Sequence, residues 1–123
     1  HPGEAAMLLD CSVEELQKDR LEAAKELYRR YNCLIILKGY QTIVFDGAAY
    51  KCTDGGPALS TAGTGDVLAG LIGSFLAQGL SKIDAAKFSV AIHGAAGDKF
   101  SRNNRVRGLT ATKLIKIINE EML

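Results

Sequence analysis

The chain has 123 residues, 47% of them hydrophobic and 24% charged, with a net charge near +1. This is an ordinary composition for a soluble chain, and its scattered, balanced charges exclude an electrostatic case for binding nucleic acid. The longest apolar stretch, Val67 to Leu80, is interrupted by Gly and Ser and falls short of the roughly 20 residues that span a bilayer, which excludes a membrane helix.

Length predicts one domain, small beside the about 250 residues of many nucleotide-handling α/β enzymes. The sequence starts at "HPGEAAMLL" with neither an initiating Met nor a leading strand, so the reading is of an incomplete chain. In that opening, Pro2 suits a first helical position and Glu4 favours the positive end of a helix dipole.

"CSVEELQKDRLEAAKELYRRYN" follows, where Ser12 and Glu15 form a capping box. Val13, Leu16, Leu21, Ala23, Ala24, Leu27, Tyr28 and Tyr31 fall in one arc, so the spacing predicts a single amphipathic helix that covers a sheet and ends at Asn32. "CLIIL" reads as a strand buried on both faces. "TIVFDGAAYKC" reads as a hairpin about Asp46-Gly47.

"TDGGPALSTAGTG" reads as a loop, and the apolar residues from Asp66 to Gln78 surround their axis, which predicts a buried helix. In that helix Ala69, Gly70 and Gly73 would admit a close neighbour. Further helices are expected over roughly Lys82 to Phe100 and from near Thr110. "SRNNRVRG" is the one basic cluster and reads as a solvated loop. Cys11, Cys33 and Cys52 are odd in number and lack C-x-x-C spacing, which points away from disulfides and zinc. Cys33 and Cys52 read as small buried hydrophobes in a reducing compartment. The element order favours a layered α/β arrangement whose sheet is thin for this much apolar helix.

"TAGTGD" is the stretch with most chemical content. Gly63, Thr64 and Gly65 permit a turn of convergent N–H groups at a helix head, which suits an anion. Neither standard phosphate-binding fingerprint is present, and an ordinary cap by Thr64 or Asp66 accounts for the same residues about equally well. At a helix head Asp66 keeps its charged form, so positioning would carry any part it plays in phosphoryl transfer. Lys38 stands at a strand end, where ligands of open α/β sheets collect, yet a lysine snorkelling to solvent reads as well. His93 reads as a satisfied core histidine, and Asp98 and Lys99 as solvated.

Taken together, "HPGEAAMLL", "ILKGYQTIVFDG", "PALSTAGTGDVLAGLIGSFLAQG", "AAKFSVAIHGAAGD" and "GLTATKLI" resemble the C-terminal half of the ADP/ATP-dependent NAD(P)H-hydrate dehydratase family, which are ribokinase-like repair enzymes. The resemblance implies a ribokinase-like α/β fold with a layered sheet flanked by helices. Residues 1–123 would be the C-terminal part of a single domain, with the N-terminal half supplied by a missing segment or a partner chain. It implies a lyase that uses ADP or ATP to return hydrated NADH or NADPH to the normal dinucleotide, in the cytoplasm, as a homo-oligomer.

By the same resemblance, Gly63, Thr64 and Gly65 match the anion hole around the transferred phosphate, Thr61 and Ala62 lie beside the nucleotide, and Asp66 is the general base. Lys38, Gly39 and Thr42, with Tyr40 and Gln41 between them, match the K-G-x-x-T segment that borders the adenine nucleotide. His1, Pro2, Gly3 and Glu4 match the segment that touches the hydrated nicotinamide, and Glu4 occupies the position that organises Mg²⁺ through water. Two departures are Gly56, where the family usually has Asn before the loop proline, and Lys113, which removes the acidic partner of a capping box. The alternatives are a ribokinase-like kinase of a vitamin-precursor alcohol, and a non-catalytic subunit that binds nucleotide.

Overall fold

The structure, a computed structural model, describes residues 1–103 and 106–123. In chain order its elements are α1 (Pro2–Leu9), α2 (Val13–Lys18), α3 (Arg20–Tyr31), β1 (Ile35–Leu37), β2 (Ile43–Phe45), β3 (Ala49–Lys51), α4 (Thr64–Ala77), α5 (Lys82–Asn103) and α6 (Ala111–Ile117). A 3-10 turn covers Pro57–Ser60, and a π-helical turn over Ile118–Met122 continues α6. The chain divides into two compact units, His1–Lys51 and Cys52–Leu123. Among the described residues no helix is long and apolar enough to cross a membrane.

In the first unit, α1 starts with Pro2 at its first position, while the His1 imidazole Nδ1 accepts from the Gly3 N–H at 3.1 Å. Ser12 and Glu15 make the expected reciprocal box at the head of α2, with bonds of 3.1 and 3.0 Å. The single helix expected from Val13 to Tyr31 is two helices. Asp19 leaves helical geometry (φ −147°, ψ 83°) and its carboxylate accepts from the Glu22 N–H at 3.0 Å, so a side-chain cap ends one helix and starts the next. Asn32, in the left-handed region, closes α3 by donating its N–H to the Tyr28 carbonyl.

The strands form an antiparallel sheet in the order β1-β2-β3. The expected hairpin is present: Phe45 pairs with Ala49 across Asp46-Gly47-Ala48, and Gly47 takes the positive φ (85°) that the turn needs. Helix α3 lays Ala23, Ala24 and Leu27 into a core with Leu37, Ile43 and Phe45, and Tyr28 meets Phe45 edge-on at 5.2 Å. Each fully buried Leu, Ile or Phe here contributes about 1.5–3 kcal/mol, which makes this contact the main support of the unit.

The strand buried throughout is β2, not β1. Ile43, Val44 and Phe45 are all buried, as befits the central strand, whereas on the edge strand Ile35 and Ile36 are half-buried and Cys33 just before it is exposed. Cys52 is buried as expected.

In the second unit, Ala58, Ala96, Phe100, Leu109, Leu114 and Ile118 form the core around α5 and α6. Helix α4 departs from expectation. Only Thr64 and Leu68 are buried, Leu76 is 45% exposed, and a Cβ on Gly70 or Gly73 would meet nothing within 4 Å. The helix has the apolar surface for burial on all sides, but among the described residues of its unit none covers the face that carries Gly70, Gly73 and Leu76. The segment 101–108 is mixed: Ser101 to Asn103 finish α5, Val106 to Gly108 are exposed, and Asn104 and Arg105 lie outside the described residues.

Thr110 caps α6 by accepting from the Lys113 N–H at 3.3 Å. With no acidic side chain at that position to complete a box, Lys113 turns its ammonium to the Gly108 carbonyl at 2.9 Å.

Candidate functional site

In the second unit the "STAGTGD" stretch forms the head of α4. Gly63 sits at φ +88°, where a Cβ would be strained and would lie 3.2 Å from the Ala111 Cβ, so glycine is the residue the turn requires. The Val67 N–H reaches the Gly63 carbonyl at 3.2 Å and closes the first helical turn. No side chain caps this helix, in contrast to α1, α2, α3 and α6. Among the described residues, the N–H groups of Gly65 and Asp66 meet no acceptor, and the Asp66 carboxylate is exposed beside them. The side-chain cap by Thr64 or Asp66 that the sequence offered is not formed, and Gly63 occupies the cap position. These open N–H groups stand at the positive end of the helix dipole.

The members of the turn face different ways. Thr64 is 5% exposed, and its hydroxyl points into the protein, 2.6 Å from the Leu59 carbonyl and 2.8 Å from that of Thr61. Thr61 and Ala62 are exposed, and the Thr61 hydroxyl donates back to the Ala58 carbonyl at 3.3 Å.

Helix α5 holds this turn from below. His93 is buried as expected, and its Nε2 lies 2.8 Å from the Thr64 carbonyl; since a carbonyl only accepts, Nε2 carries the proton. Asp98 corrects its reading as a solvated residue: it accepts from the Gly55 N–H at 3.0 Å and pins the loop that leads to the turn. Lys99 keeps over a third of its side chain in solvent, as expected, and pairs there with Glu121. The loop lies so close to α5 that a Cβ on Gly94 would come within 2.7 Å of the Asp54 carbonyl oxygen, and one on Gly97 within 2.6 Å of Leu59.

The first unit carries the other two segments singled out from the sequence. Glu4 Oε2 lies 3.1 Å from the His1 main-chain nitrogen. The charge of Lys38 is felt at the Glu4 carboxylate, so Lys38 and the head of α1 share one electrostatic neighbourhood within this unit. From Lys38 the chain turns sharply through Gly39 (φ +146°), exposed Tyr40 and Gln41 (φ +56°), and the Thr42 hydroxyl donates to the Gly39 carbonyl at 3.3 Å.

Arg20, which the sequence did not single out, binds this turn. Its guanidinium donates to the carbonyls of Leu37 at 3.1 Å, Lys38 at 3.2 Å and Gln41 at 3.4 Å, and also to that of Tyr40. Burial pulls the Arg20 guanidinium below its usual pKa, as expected for a cation surrounded by main chain. The partners of Arg20, His93 and Asp98 were hidden because each bonds to main-chain groups far along the chain, and such groups carry no residue signature.

The segments at His1–Glu4 and Lys38–Thr42 belong to one unit and Thr61–Asp66 to the other. Among the described residues no three His, Cys, Asp or Glu side chains gather to hold a metal. Mg²⁺ commonly keeps several waters and takes one or two carboxylates with substrate phosphates, so the single exposed carboxylate of Glu4 fits a water-mediated role.

Residues 1–120 match the family model described as NAD(P)H-hydrate dehydratase. The chain is 42% identical to the bifunctional NAD(P)H-hydrate repair enzyme of Vibrio cholerae over 121 residues, which are 98% of this chain and 24% of that protein. It is 43% identical over 100 residues to the ADP-dependent (S)-NAD(P)H-hydrate dehydratase of Neisseria meningitidis, covering 80% of this chain and 34% of the relative.

Among solved structures, the ADP/ATP-dependent NAD(P)H-hydrate dehydratase of Bacillus subtilis, co-crystallised with ATP/Mg²⁺, superposes with a TM-score of 0.91 at 35% identity. That match covers 97% of this chain and 44% of the other. A ribokinase-like superfamily protein of Enterococcus faecalis gives a TM-score of 0.83 at 29% identity, covering 99% and 42%. The fold is ribokinase-like, as expected, and the chain spans about a quarter of the length of the bifunctional relatives.

Proposed function

Because the chain belongs to the NAD(P)H-hydrate dehydratase family, we propose that it carries the phosphate turn and general base of an enzyme that returns hydrated NADH or NADPH to the intact dinucleotide, with ADP or ATP consumed. The observation that carries this reading is the head of α4, where unpaired N–H groups lie beside an exposed Asp66 and no side chain occupies the cap.

The chemistry then follows from the parts. Asp66 accepts the proton of the ring hydroxyl as its oxygen attacks the terminal phosphorus, and the bond from that phosphorus to the nucleotide breaks. In the anion hole of Gly63, Thr64 and Gly65, the Thr64 N–H is held by the Thr61 carbonyl, so the Gly65 N–H, with that of Asp66 next to it, stabilises the charge that gathers on the phosphoryl oxygens. The ring nitrogen lone pair expels the phosphate, and the adjacent ring carbon sheds a proton to restore the double bond. Hydroxide is a poor leaving group; phosphate is a good one.

Lys38, Gly39, Tyr40, Gln41 and Thr42 border the nucleotide in this reading, with Thr61 and Ala62 beside it. His1, Pro2, Gly3 and Glu4 touch the hydrated nicotinamide. Mg²⁺, held by the nucleotide phosphates and through water by Glu4, would offset phosphate charge. Cytoplasmic action, a homo-oligomeric assembly and completion of the site by residues beyond these 123 belong to the same reading.

The test is Asp66→Asn in the complete gene product, assayed with NADH hydrate and ADP or ATP. Turnover should fall by at least about 10³-fold while nucleotide binding stays within about twofold. Wild-type enzyme should release inorganic phosphate as NADH absorbance returns. A stable phosphorylated alcohol instead would turn the reading to a vitamin-precursor kinase, and nucleotide binding with no turnover would turn it to a binding subunit.

A further inference from the structure

We propose that Arg20 is the positioning residue of the Lys38–Thr42 turn and that its guanidinium fixes this turn in the shape that receives the nucleotide. The inference rests on the reading that this turn borders the nucleotide. Gln41 at φ +56° is in the left-handed region, a costly place for a residue with a side chain, and Gly39 at φ +146° gives the turn a backbone that glycine adopts freely, so the turn needs something to hold it. The Thr42-to-Gly39 bond at 3.3 Å is too long to do so alone.

Arg20 supplies what is missing. Four carbonyls along the turn, those of Leu37, Lys38, Tyr40 and Gln41, converge on one guanidinium. A planar group with five fixed donors can take them all, whereas an ammonium on a flexible stem cannot. Gly39 completes the fit: a Cβ there would stand 2.9 Å from Arg20 Nη2 and push the clamp out. The carbonyls are drawn inward to Arg20. Lys38 itself makes no side-chain hydrogen bond among those described, and its charge is felt at the head of α1.

The role differs from catalysis, since Arg20 works through main chain and not on the reacting atoms. Arg20→Gln in the complete gene product should therefore raise KM for ADP or ATP by about tenfold or more while kcat at saturation stays within about twofold. Arg20→Lys, able to hold some carbonyls but not all, should fall between wild type and Arg20→Gln. Gly39→Ala should reproduce the KM effect with Arg20 intact.

Lys38→Ala separates the two layers. If it leaves the nucleotide KM unchanged, the nucleotide assignment of the turn fails. If it raises that KM while Arg20→Gln and Arg20→Lys lower only the melting temperature, the assignment stands and the positioning role of Arg20 is overturned. Should Arg20→Gln give no folded enzyme, the KM of Arg20→Lys decides, and a wild-type value refutes the proposal.

Discussion

Replacing Thr64 by Val keeps the branched shape of the side chain and removes only its hydroxyl, which lies 2.6 Å from the Leu59 carbonyl and 2.8 Å from that of Thr61. A net hydrogen bond is worth about 1 kcal/mol, and a buried carbonyl left without its donor costs about 1–3 kcal/mol. One hydroxyl hydrogen serves both acceptors, and the Thr61 carbonyl keeps the Thr64 N–H at 3.3 Å. Only the Leu59 carbonyl is stranded, so the expected loss of stability is about 1–3 kcal/mol and not twice that.

Urea unfolding of the complete gene product, followed by circular dichroism, measures that loss, and Thr64→Ser should recover most of it. The same variants test where the hydroxyl points. Loss of a direct donor to a transferring phosphoryl group would cost about 10²–10³ in kcat, whereas a hydroxyl turned into the loop should cost less than about tenfold. Unchanged stability together with a hundredfold fall in kcat would refute the inward orientation and return Thr64 to the anion hole as a direct contact.

Gly94→Ala sets helix preference against packing. Its gain of about 1 kcal/mol in propensity is outweighed by a Cβ 2.7 Å from the Asp54 carbonyl oxygen, and by strain on the Gly55-to-Asp98 bond that the shifted loop must absorb. A net loss of about 1–2 kcal/mol in urea unfolding is expected; a gain would show that the loop moves freely. Thiols should separate under native labelling. Exposed Cys33 should react within minutes, whereas Cys52, whose thiol is pushed up first by burial and then by the charges of Asp54 and Asp98, should react only on unfolding. Equal labelling of the two at neutral pH would contradict the buried position of Cys52.

How much the sequence revealed varies with the kind of signal. Signals that are local and carried by side chains came through: the Ser12–Glu15 box, the Asp46-Gly47 hairpin and the Thr110 start of α6 each depend on residues within four positions. The break at Asp19 was written in similar terms, with Glu22 three residues on, but the apolar arc of Leu16, Leu21, Ala24 and Leu27 runs straight across it and hid the cap. Hydropathy failed differently at α4, because an apolar helix states how much surface it can bury, and what covers Leu76 or Gly73 is decided by neighbours. The candidate turn was visible as a glycine-rich string before a helix. That no side chain caps it, and that His93 and Asp98 hold it, depended on distances between segments and could not be read.

The two-helix arrangement at Asp19 also has a mechanical side. Arg20 is the first residue of α3, so the direction in which that rod leaves its cap sets where the guanidinium hangs. A helix is stiff over its length, and its far end is seated in the sheet by Leu27 and Tyr28. The cap at exposed Asp19 fixes the first turn of α3, and with it the backbone position from which Arg20 reaches the Lys38–Thr42 turn. The shape of that turn thus depends on a side-chain cap about twenty residues before it in the chain.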